Sequence, residues 1–237
     1  PLIGSLFEEP QPAGDPVPLS SVRLLPPLLP SKVVGIGSNY RKHVEEMGRT
    51  VPSVPKIFLK PPTAVIGHME PIELPPGTVR VDHEAELGVV IGWRAQRVSP
   101  EDALSHVLGF TCVNDVTARD FQKADGTFSR GKGFDSFCPL GPWILATRSE
   151  APRRVRCYVD GELRQDGSTD DLIFDIPTLV SFVSSVMTLL PGDVIATGTP
   201  AGVSPLVHGS TVEVEVEGIG RLRNPVVDRE DRVSDGH

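Results

Sequence analysis

Apolar and polar residues alternate every second position along much of this chain, and stretches long enough for a helix are few. Period-two alternation is the mark of a β-strand with one face inward. KVVGIG (Lys32–Gly37), Ile57–Leu59, Ala64–Ile66 and GDVIATG (Gly192–Gly198) read as short buried strands. VRVDHEAELGVVIG (Val79–Gly92) reads as a longer strand after the turn PPGT, and HVLGFTCVNDVT (His106–Thr117) as an apolar strand ending near Asp115. VRCYVDGELRQDG predicts a hairpin with Asp160-Gly161 as its type I′ turn. STVEVEVEG and IGRLRNPVV supply the last pair, with Glu213, Glu215 and Glu217 alternating outward as a solvated face.

Two segments predict helices. Ser99-Pro100-Glu101-Asp102 offers an N-cap, a proline at the first helical position and acids against the dipole. DIPTLVSFVSSVMTLL has helical spacing behind Asp175 as cap. NYRKHVEEM (Asn39–Met47) is short and polar, helical if anything, and ARDFQKA suggests one helical turn. The 24 prolines are about twice the usual share. Proline is barred from central strands and helix interiors, so it pushes the chain toward short strands joined by loops. The expected fold class is mixed α+β and predominantly β, with a few short helices.

Length, at 237 residues, allows one large domain or two small ones. No internal repeat is visible. Residues 1–31 are proline-rich and lack periodicity, an irregular lead-in; 32–227 hold the patterned domain; 228–237 form a charged tail expected to be disordered. A net charge of -8 argues against nucleic acid, whose phosphates require a basic surface. No apolar run approaches the roughly 20 residues that span a bilayer. Cys112, Cys138 and Cys157 are scattered and form no CxxC pair, which fits buried thiols in a reducing cytoplasm.

Glu84 and Glu86 are out of place in an apolar strand, because glutamate is depleted there. They share one face, so that face meets either water or something positive. VEVEVE ends in a turn and fits solvent; EAELGVVIG runs on into residues apolar on both faces. Two carboxylates at such a boundary need a cation, and oxygen ligands suit Mg2+, Mn2+ or Ca2+. Asp115 ends a neighbouring apolar strand, as a third ligand or as an N-cap for ARDFQ. Lys132, between glycines, is placed to meet an anionic substrate unless it is a plain surface lysine. His43 and Glu46 are neighbours on one helix face, an arrangement that fixes an imidazole tautomer and supports a general base. TGTPAG has loop amides for a carboxylate but lacks the Lys-Ser/Thr of a P-loop.

In this order, SNYRKHVEEM, DHEAELGVVIG, GFTCVNDVTARDFQ, RGKGFDSFCPLGPW, VDGELRQDG and GDVIATGTPAGV resemble the fumarylacetoacetate hydrolase superfamily, over about Lys32 to Val227. The resemblance implies a β-roll, often described as a distorted barrel, usually in homodimers. It implies Mg2+ or Mn2+ on Glu84, Glu86 and Asp115, and an active-site lysine at Lys132. Substrate contacts would fall on Tyr40, Gln122, Gly198 and Thr199. The stretch VVGIGSNY lacks the extra carboxylate of fumarylacetoacetase itself. His43 and Glu46 look instead like the acylpyruvase and oxaloacetate decarboxylase branch, where this segment is a lid. The implied partner is a small 2-oxo acid, cleaved as an acylpyruvate to a pyruvate enolate. Oxaloacetate decarboxylation and isomerisation of a 2-hydroxymuconate-type dienoate are the alternative reactions. A non-catalytic protein with a structural cation is the remote one, since it has no use for His43, Glu46 or Lys132.

Overall fold

A computed structural model describes residues 2–3, 7, 11–12, 14–48 and 50–229. The charged tail beyond Arg229, and Arg49 just after the segment expected to form a lid, lie outside the described residues. Among the described residues, four sheets hold the strands. In the lead-in, β1 (Leu2–Ile3) pairs with β2 (Gln11–Pro12). Seven strands make the largest sheet, which consists of β3 (Val33–Gly37), β4 (Lys56–Lys60), β5 (Val65–Ile66), β8 (Ala85–Ile91), β9 (Val107–Asn114), β11 (Cys138–Leu145) and β14 (Val194–Ala196). Their spatial order is β4-β3-β14-β8-β9-β11-β5. A five-stranded sheet is ordered β13-β12-β16-β17-β6, from β6 (Ile72–Leu74), β12 (Arg154–Val159), β13 (Glu162–Ser168), β16 (Thr211–Val216) and β17 (Gly220–Asp228). The three-stranded sheet joins β7 (Val81–Asp82), β10 (Thr117–Ala118) and β15 (Pro205–Leu206). Helices are short: α1 (Arg41–Glu46), α2 (Arg119–Asp125), α3 (Ser129–Lys132) and α4 (Ile176–Val186). The protein is mostly sheet, as its pattern predicts, and the sheet curls into a half-barrel, as the family resemblance implies. No helix among the described residues is long and apolar enough to cross a membrane.

Burial explains why β8 reads as apolar throughout. Leu87, Val89 and Ile91 join the main core, which also takes Val155 and Cys157 of β12 and Val212, Val214 and Val216 of β16. Val90 points the other way, into a second cluster with Val113, Val194, Ala196 and Leu28 of the lead-in. A strand covered on both faces loses the polar alternation of a half-exposed one. The three cysteines are buried and unpaired, and burial pushes the Cys112 and Cys138 thiols up to about 12. They are inert at neutral pH.

Several local expectations hold. Asp160 and Gly161 both adopt positive φ, 53° and 82°, as a type I′ turn requires. Asp175 caps α4 by accepting from the Thr178 N–H at 2.9 Å. Glu213 and Glu215 do alternate outward on β16, and on that surface Arg221 pairs with both and Arg156 with Glu215. Others need correction. Ser99 opens no α-helix: Asp102 N–H donates to Ser99 C=O and Ala103 N–H to Pro100 C=O, and the segment winds on as a 3-10 helix over Ala103–His106. Lys132 sits at the end of α3 rather than in a loop.

The largest correction concerns Val79–Gly92, which is two strands. The chain leaves the ladder at His83 and Glu84, whose N–H groups find partners elsewhere: that of His83 donates to Ser204 C=O at 3.3 Å and that of Glu84 to a side chain. Glu84 N–H donates to Asn114 Oδ1 at 3.0 Å, and His83 Nδ1 meets Gln165 Oε1 at 2.9 Å. The break sends β7 and β8 to different sheets.

Candidate active site

That break is where the site is built. Glu84 stands in it, Glu86 follows within β8, and β9 lies beside β8 with Val113 opposite Glu86. Asp115 leaves the end of β9, tied back by its N–H to Glu84 C=O at 2.9 Å. The three carboxylates therefore converge from adjacent strand ends. One oxygen from each lies within 4.8 Å of the others, and all three residues are buried.

Cations surround them. Lys132 Nζ, itself buried, donates to Glu84 Oε2 and Thr117 Oγ1 at 2.8 Å each, and to Asp115 Oδ2. Lys60 Nζ donates to Asp115 Oδ1 at 2.6 Å from a fully buried position. Arg119 reaches Glu84 at 2.6 Å and Asp82 at 2.8 Å. Burial alone would raise the Glu84 pKa, but Lys132 and Arg119 outweigh it and hold the carboxyl well below its usual range. Glu86 differs: burial, reinforced by the carboxylates of Asp115 and Glu84, pushes it well above. Among the described residues Glu86 has no ion-pair partner. Its Oε2 accepts the Gly198 N–H at 2.8 Å. An under-compensated carboxyl beside two others is a fit for a hard divalent cation, and the donor set is all oxygen.

Gly198 can approach Glu86 because its φ is +102°, a conformation open to glycine. A Cβ there would stand 2.9 Å from the Cβ of Asn39, whose amide holds the same loop through Thr197 C=O at 2.8 Å. Gly198→Ala should therefore shift the loop off Glu86 and weaken Mn2+ binding by about 10- to 100-fold, the usual effect of losing a ligand's outer partner. Titration calorimetry with Mn2+ measures this; wild-type affinity in the variant would show that the Glu86–amide bond is dispensable.

Above the carboxylates opens a cavity of about 330 Å3. His43, Glu84, Glu86, Asp115, Gln122, Lys132 and Thr199 line it, seven of the ten residues singled out from the sequence. Glu46 stands behind His43, with Oε2 3.3 Å from Nδ1, and also accepts the Gly202 N–H. Gly198 acts through Glu86. Tyr40 does not reach the cavity: its ring is fully buried, and its hydroxyl has no hydrogen-bond partner among the described residues. Burial, with the nearby Glu86 and Asp171 carboxylates, drives its phenol pKa far above normal. Asp115 is not a helix cap, since Ala118 holds that place on α2.

Other site residues gave little sign in the sequence. Phe58 and Phe128 form an apolar wall, ring centroids 4.9 Å apart. Gln165, fully buried on β13, donates from Nε2 to Thr199 Oγ1 and to Pro200 C=O at 2.7 Å each, while its Oε1 accepts from Ala85 N–H. Thr199 Oγ1 in turn donates to Ala85 C=O at 2.9 Å. The Thr199 loop is thus bolted to β8, the strand that carries Glu86.

Comparison with known proteins identifies the family. The family model for the fumarylacetoacetate (FAA) hydrolase C-terminal region matches residues 32–227. Oxaloacetate tautomerase YisK of Bacillus subtilis is 44% identical over 223 residues, which cover 88% of this chain and 74% of that protein. The structure of 2-hydroxyhepta-2,4-diene-1,7-dioate isomerase from Mycobacterium marinum superposes with a TM-score of 0.90 at 46% identity, covering 97% of this chain and 87% of that one. Maleylpyruvate hydrolase from Sphingobium sp. SYK-6, solved with manganese(II) and pyruvate, gives 0.78 at 36% identity, covering 90% and 77%. From the acidic trio at the β7–β8 break to the loop that anchors Glu86, this chain belongs to the fumarylacetoacetate hydrolase family.

Proposed function

We propose that this protein is a divalent-metal-dependent hydrolase that cleaves the C–C bond of acylpyruvate-type 2,4-dioxo acids through a pyruvate enolate. One observation carries the reading: an imidazole braced by a carboxylate, His43 on Glu46, lines the same cavity as three buried carboxylates and a buried lysine. Glu84, Glu86 and Asp115 would hold the ion, Mg2+ or Mn2+. When bound, the ion supplies Lewis acidity toward the negative charge that develops on a 2-oxo acid's oxygens.

The chain's own groups do the rest. Lys132, Gln122 and the Thr199 loop bind and orient the 2-oxo carboxylate end, leaving the distal carbonyl toward His43. His43 takes a proton from water, with Glu46 fixing the tautomer. Hydroxide adds to the distal carbonyl, and the C3–C4 bond breaks with its electron pair going to C3. The resulting enolate recovers a proton at C3 from His43, giving pyruvate and a carboxylic acid, which ionises. Phe58 and Phe128 keep bulk water from the enolate.

A second reading is oxaloacetate tautomerisation, favoured by the 44% identity to a protein of that activity. It uses the same proton transfer at C3 and no attacking water. Purified protein with Mg2+, assayed against acetylpyruvate, oxaloacetate and 5-carboxymethyl-2-hydroxymuconate, separates these reactions by product. His43→Ala should lower acylpyruvate hydrolysis by about 100- to 10,000-fold, the range for a lost general base. Hydrolysis near the wild-type rate in that variant refutes the role given to His43.

A further inference from the structure

Arg80 is a guanidinium at the cavity that the reaction above does not use. Its Nε and Nη2 donate to the two oxygens of Asp82, at 2.8 and 3.1 Å, in a bidentate fork. Asp82 is buried, so the fork is pinned to a fixed anchor, while the Arg80 side chain stays half exposed at the cavity wall. A guanidinium carries five N–H donors in one plane. Two are spent on Asp82, and among the described residues Nη1 has no partner. The remaining Nη1–Nη2 edge is a second fork of the geometry that carboxylates fit. Asp82 also accepts from Arg119 Nε at 2.8 Å, so a single carboxylate lies between two guanidinium groups. Arg119 is occupied further by Glu84 and by Gln122. Arg80 is thus the guanidinium of this group with a free donor edge.

We infer that Arg80 is a specificity-determining residue: it binds a second carboxylate at the far end of the substrate, so that the preferred substrates are 2-oxo acids with a carboxylate at both ends. The inference rests on the 2-oxo acid reading above and narrows it. A pinned arginine loses little entropy on binding, which favours a rigid terminal anion over a flexible apolar tail. An acylpyruvate ending in a methyl group would leave the free edge of Arg80 to water.

The test is direct binding rather than turnover. Calorimetric titration of the Mg2+-loaded protein compares 2-oxopentanedioate, 2-oxohexanedioate and 2-oxoheptanedioate with 2-oxo monoacids of the same carbon number. In the wild type, the diacid of matching length should bind about 10- to 100-fold tighter than its monoacid, the effect of one charge-assisted pair. In Arg80→Met that preference should vanish while monoacid affinity stays within about two-fold, and Arg80→Lys should keep part of it. A thermal scan of each variant confirms folding, and the wild-type comparison decides even without them. Monoacids that bind as tightly as every diacid overturn the role of Arg80 and leave the 2-oxo acid reading standing. If neither series binds, the 2-oxo acid reading falls, and this inference with it. Equal weakening of both series in Arg80→Met shows that the residue only supports the wall, and overturns the specificity role.

Discussion

Glu86→Gln should abolish divalent-metal binding and lower turnover at least about 1,000-fold, yet leave the metal-free protein as stable as the wild type. Loss of the ion removes several kcal/mol of charge stabilisation from an enolate-like transition state, and each 1.36 kcal/mol is tenfold in rate. The stability half of the prediction comes from Glu86 being the one carboxylate of the trio without a cation beside it. Its removal orphans no lysine or arginine, and an amide keeps its acceptor for the Gly198 N–H. Chelation of the wild type should do the same, ending activity while the fold persists. Four buried or half-buried cations, Lys60, Arg80, Arg119 and Lys132, already face Asp82, Glu84 and Asp115. Added metal then stabilises the fold only by mass action, by about 2.7 kcal/mol at a hundredfold excess over Kd. Cooperative unfolding on chelation would mark the ion as structural and remove the catalytic reading. Equal Mn2+ affinity in Glu86→Gln and wild type would put the ion elsewhere.

The metal trio was legible because the sequence breaks its own rule there. Glutamates in a run apolar on both faces demand an explanation, and Asp115 ends the next apolar strand. The alternative of water or a positive partner resolves toward the positive partner, with Lys132 and Arg119 against Glu84. Lys60 was not legible. It ends a five-residue strand before two prolines, where a lysine ordinarily faces solvent, and its contact with Asp115 spans 55 residues of chain. Gln165 has the same difficulty: inside the DGELRQDG hairpin it reads as a surface residue, and only the packing of β13 shows it facing Thr199. Tyr40 misled in the opposite sense. It precedes His43 in a motif rich in polar residues, but its chain position, extended just before α1, turns the ring into the core. The fold class followed from period-two patterning and proline content, both local properties. Which sheet a strand joins is a long-range property, so the division of Val79–Gly92 needed coordinates. Ser99 carried sound capping signals, yet propensity is a weak prior and the segment was settled by packing as a 3-10 turn.

Lys132→Met should cost the metal-free protein about 3–5 kcal/mol, the penalty for breaking a buried ion pair from one side. For a chain of this length that is a fall in Tm of roughly 6–20 °C. The residue is buried, and the substitution keeps most of its volume, so packing accounts for little of the loss. What changes is charge. Burial alone would lower the Lys132 pKa, but Asp115 and Glu84 outweigh it and keep the ammonium charged above its ordinary range. Without it Glu84 is left with Arg119, and Asp115 with Lys60. Thr117 Oγ1 also loses its donor. Mg2+ should recover part of the lost stability in the variant, because it brings positive charge to the same two carboxylates. Activity should not return with it, since the group that meets the substrate's carboxylate is gone. Differential scanning of wild type and variant, each with and without Mg2+, measures all four values. A larger Mg2+-induced rise in Tm for the variant than for the wild type is the expected sign of a lysine and a metal ion sharing the same anions. Equal rises, or a variant as stable as the wild type without metal, would mean that Lys132 and the ion act on separate charges.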